Sequence, residues 1–390
     1  MRFPGFSDEW VKVSLGDIGE TLIGLTYSPK DVVANDGTIV FRSSNIQDGM
    51  IDYTDLVRVN KPIKERIVTR ENDILICARN GSQRLIGKNA LLTKADEGNT
   101  FGAFMMIYRS DDNDVIHPIL STRRYISQVS ENLGARINQI TTSDLNSFEF
   151  YIPSNCIERR KIGKLFALIN ERIATQNKII DNLQSLIKGL IQCLSQEGLA
   201  NGRWHKIMLS EILTERNELN EAYHPVHSVS VSAGVVNQVE YLGRSFAAKD
   251  TAHYHVVYNG DIVYTKSPTG NQPYGIVKQS HCLTPAAVSP LYGVYQPSSF
   301  EVGNYLHYYF LNPLNTNNYL SPLIQKGAKN TINISNQRFL ENRIPLPIDE
   351  MEVKLVSDSL SALDKKLMLE FTVLTSLKRQ KNFLFRNLFI

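Results

Sequence analysis

Two apolar seams with the same spacing run through this chain, and they limit its fold more than any other feature. The first passes through Ile162, Phe166, Ile169, Ile173, Gln176, Ile180, Leu183, Ile187, Leu190 and Leu194 in alternating steps of four and three. This is the heptad pattern of a coiled coil. A shift of 194 residues gives Val356, Leu360, Leu363, Leu367, Glu370, Leu374, Leu377, Lys381, Leu384 and Leu388, apolar again except at Glu370 and Lys381. One such stretch describes an ordinary core helix as well as a coiled coil. Two in the same relative position predict a pair of long helices that pack on each other.

The duplication extends beyond the helices. Trp10, Lys12, Leu15 and Ile18 correspond to Trp204, Lys206, Leu209 and Ile212, and these are the only two tryptophans. Asn72-Asp73-Ile74-Leu75 matches Gly260-Asp261-Ile262-Val263, and Gly134-Ala135-Arg136 matches Gly327-Ala328-Lys329, with offsets that drift as loop insertions would make them. A strand rich in proline at its end precedes each helix, Phe148 to Pro153 and Arg343 to Pro347. Proline ends the strand and frees the chain to begin a helix.

Connectivity predicts that the helices run antiparallel. Few residues separate Leu194 from Trp204, and the second module leads directly into the second helix after Pro347. Domain termini commonly lie close together, so the end of the first helix is expected near the start of the second. A rod of about 33 residues spans roughly 50 Å at 1.5 Å per residue. Gln176 and Glu370 would face each other near its middle, where polar seam residues fix register at some cost in stability. Lys381, at the position of Ile187, departs from the seam, with its stem packed and its head in water or against another subunit.

With 42% hydrophobic residues the chain has enough apolar content for two domains plus the rods. The N-terminal residues lack an apolar signal-peptide core and no apolar run approaches a membrane span, so a cytoplasmic protein without a membrane role is expected. Cys77, Cys156, Cys193 and Cys282 form no paired motif that would suggest disulfides or a zinc site. The net charge of +3 neither requires nor excludes a nucleic-acid partner.

Catalytic signatures are missing. Gly81 to Asn89 approaches a phosphate-binding loop but has one residue too many before Gly87-Lys88 and ends in asparagine, which misplaces the lysine and the metal-binding hydroxyl. There is no dinucleotide glycine fingerprint and no nucleophile elbow. Asn312-Pro313-Leu314-Asn315 lacks the second proline and the aromatic of amino-methyltransferases and reads as a turn. His224, His227, His253, His255 and His281 fall in one module, and His253 and His255 would share a strand face. No matching cluster stands in the other module, and the expectation is strand and loop histidines with no metal.

Each module reads as short strands with helical interruptions, at Thr38 to Arg42, Asp73 to Ala78, Phe104 to Arg109 and Asp261 to Thr265. A polar loop follows each matched Asp-Ile strand: Arg79, Asn80, Gly81, Ser82, Gln83 and Arg84 in one, Lys266, Ser267, Pro268, Thr269, Gly270, Asn271 and Gln272 in the other. Arginine, asparagine and glutamine can form paired hydrogen bonds with base edges in the major groove. Such loops are also ordinary solvated turns. Arg136 and Asn138, and likewise Lys329 and Asn330, follow a Gly-Ala pair, where exposed amides beside a cation suit a phosphate.

In the order and duplication of these features the chain resembles the specificity subunits of type I restriction-modification enzymes. The likeness rests on Arg2-Phe3-Pro4-Gly5-Phe6 through Trp10, the Trp204 echo, the strands ending at Pro153 and Pro347, and the two heptad helices, and it covers essentially the whole length. The resemblance implies an α+β fold: two pseudo-twofold-related mixed α/β target recognition domains joined by two long helices that form an antiparallel coiled coil. It places target recognition domain 1 at 1–154, spacer helix 1 at 155–196, target recognition domain 2 at 197–348 and spacer helix 2 at 349–390. It further implies a non-catalytic subunit that recognises a split site in double-stranded DNA and directs two methyltransferase subunits and restriction/translocase subunits to it. No cofactor is expected on this chain; S-adenosylmethionine, ATP and Mg would be bound by the partners. A rod of roughly 50 Å matches about 15 base pairs. A coiled-coil scaffold with protein-binding modules is the competing reading, and a metal-dependent hydrolase a more distant one.

Overall fold

A computed structural model describes residues 2–47, 49–135, 138–266, 272–326 and 332–389. The chain divides into two compact units, Met1–Gln176 with Val373–Ile390, and Asn177–Thr372. Each unit is therefore one module plus a part of each long helix. The divisions fall at or beside the two polar seam residues, Gln176 and Glu370.

In the first unit, β1 (Trp10–Ser14) pairs antiparallel with β6 (Glu149–Pro153), with Trp10 opposite Pro153. Between them, β2 (Glu20–Ile23), β3 (Ile74–Cys77), β4 (Asn89–Leu91) and β5 (Met105–Arg109) form a sheet in the order β2-β5-β3-β4. The sequence Ile-Leu-Ile-Cys of β3 is apolar at every position because the strand is buried on both faces. One face meets a core that includes Tyr108, Ile116, Tyr125 and Phe148, the other a core with Phe41, Leu75, Phe101 and Ile107. Helix α1 (Asn113–Ile119) follows β5.

The second unit repeats this frame. β7 (Trp204–Met208) pairs with β12 (Arg343–Pro347), with Trp204 opposite Pro347. β8 (Leu213–Glu215), β9 (Ile262–Thr265), β10 (Ile276–Gln279) and β11 (Gly293–Pro297) form a sheet in the order β8-β11-β9-β10, which is the order of the first sheet. α3 (Phe300–Tyr309) follows β11 as α1 follows β5.

The entry into the central strand is also duplicated. Asn72 and Gly260 both adopt positive φ, 66° and 92°, a conformation that asparagine and glycine tolerate better than other residues. The Arg70 N–H donates to Asp73 Oδ2 at 2.9 Å, and the Tyr258 N–H donates to Asp261 Oδ2 at 2.9 Å. Each aspartate carbonyl then accepts from the neighbouring strand, from Leu92 at 2.8 Å and from Ser280 at 2.7 Å. The matched Asn-Asp and Gly-Asp pairs are thus one turn built twice.

Outside this frame the modules differ. The first adds a four-stranded sheet of Thr100–Phe101, Thr38–Phe41, Val57–Val59 and Val32–Val33, in that order, with its first pair parallel. The second adds a hairpin, His227–Ser230 with Gly234–Asn237, and a separate pair, His255–Val257 with Ala286–Val288. The strand containing His255 begins at that residue, so His253 lies in the preceding turn and does not share a strand face with it.

The long helices are α2 (Cys156–Ala200) and α4 (Glu350–Leu388). At 45 and 39 residues they exceed the seam-based expectation, because α2 begins six residues before the first seam position and continues to Ala200. Among the seam residues Ile162, Phe166, Ile173, Ile180, Leu183 and Ile187 are buried, as are Val356, Leu360, Leu367, Leu377 and Leu388. Gln176 is 7% exposed and Glu370 is half-buried. Within the first unit the helices run in opposite directions: Phe166 stacks on Phe385 with ring centroids 4.8 Å apart, and Asn170 and Ile173 share a cavity with Lys381 and Lys378. The chain end closes on its beginning there, with Trp10 edge-on to Phe389 at 6.0 Å.

Candidate nucleic-acid interface

The loop after β3 lines an open groove of about 880 Å³ in the first unit. Its backbone is fixed from both sides. The Ala78 and Arg79 N–H groups donate to the Phe104 carbonyl, each at 3.0 Å, and the Ile140 N–H donates to Ala78 O at 2.9 Å. Asn80 Nδ2 donates to Ser43 Oγ at 3.0 Å, while its Oδ1 accepts from the Ser82 N–H at 3.0 Å. Asn80 therefore holds the loop's shape. Asn138, in left-handed conformation at φ 59°, donates through Nδ2 to Gly81 O at 3.4 Å and buttresses the loop from behind.

Arg79, Ser82, Gln83 and Arg84 remain exposed. The Arg79 guanidinium lies 5.2 Å from the ring centroid of Phe104, whose side chain is 60% exposed. A cation over an aromatic face is held in place without losing its outward donors. Arg42 and Tyr27 line the same groove, and Arg42 is tied to Asp55 through Nη2 at 2.7 Å. The sequence reading missed Phe104, Tyr27 and Arg42. A signal for Phe104 was present: it follows Gly102-Ala103 immediately before a strand, where a large apolar residue has no core to enter.

The loop expected as its counterpart in the second module runs from Lys266 to Gln272. Ser267, Thr269 and Asn271, together with Arg136, Lys329 and Asn330, lie outside the described residues. Lys266 is half-buried, and burial lowers the pKa of its ammonium, with Glu215 opposing. Gln272 was expected as an exposed reader but is 6% exposed, and its side-chain Oε1 is buried without a hydrogen-bond partner among the described residues. Gly134 and Ala135 end a helix, Arg123–Ala135, and do not form the glycine turn expected there. The second module instead exposes Tyr241 and Phe246, with the Arg244 guanidinium 4.5 Å from the Phe246 ring centroid.

A buried ion pair supports each central strand. Arg109, from the end of β5, donates to Asp73 from Nε at 2.8 Å and Nη2 at 2.7 Å. Arg216, just beyond β8, donates to Asp261 from Nε at 2.9 Å and Nη2 at 3.2 Å. Burial raises the pKa of Asp261, and Arg216 opposes that shift. The histidines singled out in the sequence do not gather: His227 Nδ1 is 3.1 Å from Pro225 O, His255 Nδ1 is 3.3 Å from Tyr292 O, and His253 packs on Tyr254. Among the described residues no three His, Cys, Asp or Glu side chains are placed to hold a metal. Among the described residues no helix is long and apolar enough to cross a membrane.

Parts of the chain are similar to known proteins. Residues 7–185 match the model of the type I restriction modification DNA specificity domain. The chain is 27% identical over 289 residues to the type I restriction enzyme EcoKI specificity subunit of Escherichia coli (strain K12), an alignment covering 66% of this chain and 61% of that protein. It is 28% identical over 195 residues to the StySPI specificity subunit of Salmonella potsdam, covering 47% of this chain and 41% of that protein. Both alignments span less than two thirds of the relatives' length. In fold the chain is similar to the crystal structure of a type I restriction-modification system S subunit from M. genitalium, with TM-score 0.61 and 15% identity over 100% of this chain and 99% of that one.

Proposed function

With a type I restriction-modification DNA specificity domain over residues 7–185 as the premise, we propose that this chain is a non-catalytic DNA-recognition subunit. It reads a bipartite target in double-stranded DNA, each module contacting one half-site. The paired helices act as the ruler that keeps an unread spacer between the halves. They also carry the methyltransferase subunits, two in number, and with them the restriction/translocase subunits. S-adenosylmethionine, ATP and Mg belong to those partners, and methyl transfer and cleavage take place there.

The repeated frame carries this reading: two sheets of the same strand order present differing loops from equivalent positions. A protein that must grip two dissimilar sequences needs such a constant support with variable edges. In the first module Arg79 and Arg84 offer donors for base edges, and the exposed face of Phe104 offers an apolar contact such as a thymine methyl requires. Binding is expected to weaken steeply with salt as phosphate counterions are released.

The deciding experiment maps methylated adenines in a genome that carries this gene together with its partner subunits, before and after exchange of residues 205–345 for those of a relative. One half of the recognised sequence changes and the other persists. A change in both halves, or in neither, overturns the assignment of one module to each half. Salt-insensitive association with DNA would favour a protein-binding scaffold instead.

A further inference from the structure

The two modules add different strands to the same face of the shared sheet. In the first, Leu75 of β3 lies opposite Ile107 of β5, and this face packs against Phe41 and Phe101 of the added sheet. In the second, Val263 of β9 lies opposite Val294 of β11, and this face packs against Val229 and Val235 of the added hairpin. Because Asp73 corresponds to Asp261, Leu75 corresponds to Val263, and the two additions cover equivalent faces. Both additions enter the chain between the first and second strands of the sheet, after β2 and after β8. In the first module this insertion supplies Tyr27 and Arg42 to the groove that holds Arg79 and Phe104. The counterpart surface of the second module therefore belongs to the hairpin and to the residues that follow it.

Those residues form a short helix, Gln238–Leu242, closed by Gly243 in left-handed conformation at φ 74°, and then continue as Arg244, Ser245 and Phe246. One side chain fixes their path. Gln238 Nε2 donates to Ser228 Oγ of the hairpin at 3.0 Å, and Gln238 Oε1 accepts from the Phe246 N–H at 2.7 Å and from Ser245 Oγ at 3.2 Å. Further on, the Ala248 N–H donates to the Tyr254 hydroxyl at 3.2 Å. Phe246 is nevertheless 59% exposed, so its backbone is anchored while its ring is turned to solvent. The Arg244 guanidinium lies 4.5 Å from that ring's centroid. Arg79 and Phe104 make the same pair, at 5.2 Å with the ring 60% exposed, from unrelated positions in the sequence.

A guanidinium that pairs with O6 and N7 of guanine lies in the plane of that base pair. An aromatic ring stacked on the guanidinium then stands near the level of the adjacent pair, since successive pairs are about 3.4 Å apart. The apolar group that the major groove presents there is the thymine C5 methyl. We infer that each module recognises a guanine with a thymine in the neighbouring base pair, through Arg79 with Phe104 in the first and Arg244 with Phe246 in the second, an assignment that rests on the DNA-recognition role proposed above. Base reading in the second module then centres on residues 238–246 and not on the loop from Lys266 to Gln272. Each ring does two things: it holds the guanidinium plane and touches the methyl.

The test measures binding of the full-length chain, assembled with its partner subunits, to duplexes carrying the mapped site. In each half-site a guanine is replaced by a deazaguanine that lacks the N7 acceptor, or the neighbouring thymine by deoxyuridine, which lacks only the methyl. The wild type loses about tenfold in affinity on the first replacement and about fourfold on the second. Arg244→Ala abolishes the response to deazaguanine in one half alone, and Phe246→Ala abolishes the response to deoxyuridine in that same half. Arg79→Ala and Phe104→Ala do so in the other half, and all four variants keep the wild-type Tm. A half-site with no guanine beside an A·T pair, specific binding indifferent to both replacements, or variants of both modules acting on one half overturns the inference while the DNA-recognition role stands. Absence of any sequence-dependent binding overturns that role and the inference together.

Discussion

Asp73 and Asp261 hold the same place in the two modules, yet the arginine that reaches each comes from a different strand. Arg109 arrives from the end of β5 and Arg216 from just beyond β8. The supporting amide also changes: Asn113 on α1 donates to the Asn72 carbonyl at 2.7 Å, whereas Gln279 on β10 donates to the Gly260 carbonyl at 3.2 Å. The turn, the strand order and the Trp-Pro pairing are retained. What is kept is a geometry and the need to satisfy a buried carboxylate; the residue that satisfies it is exchangeable.

The largest effect should come from removing either aspartate. Asp73→Ala and Asp261→Ala each take the carboxylate from a part-buried guanidinium, and each should cost about 3 kcal/mol by denaturant unfolding. A loss below about 1 kcal/mol in one module would show that its central strand does not depend on the pair. Next, Gly163→Ala forces a Cβ against Asp114 and should lower stability by about 1–3 kcal/mol, while Ser357→Ala, at the equivalent position, loses only a hydrogen bond, about 1 kcal/mol. Equal costs would argue that α1 does not approach its long helix more closely than α3 does.

A third measurement separates the recognition loops. Arg79→Ala should weaken binding by about 1–3 kcal/mol at particular bases of one half-site, and Arg244→Ala should do so in the other half. If both variants affect the same half, the modules are not separate readers. The mildest test is pH. The folded-state pKa of His117 lies below its unfolded value because the ring is buried, so its neutral ring's contribution is complete above about pH 6.5 and is lost as pH falls toward about 3. His117→Phe should therefore flatten the fall of Tm between pH 7 and pH 4, and an unchanged slope would remove His117 as its source.

Much of the frame was legible in the sequence because duplication makes weak signals add. The heptad seams, the Trp10 and Trp204 openings and the matched Asp-Ile strands each correspond to an element found in the structure. The strand at Thr38–Phe41 was read, but its partners Val32–Val33 and Val57–Val59 and the hairpin at His227–Ser230 were not, since strands of two to four residues carry little periodicity to read. The site was read partly. Loop composition pointed to Arg79 and Arg84, but composition does not distinguish an outward glutamine such as Gln83 from one folded inward such as Gln272. Phe104 was missed because apolar residues are assigned to the core unless a reason appears to place them outside.

The edge-on contact of Trp10 with Phe389 brings the first strand and the last helical turn into one core. Damage to either partner, such as loss of the Phe389 ring, would therefore be felt by the β1–β6 pair as well as by the last turn of α4.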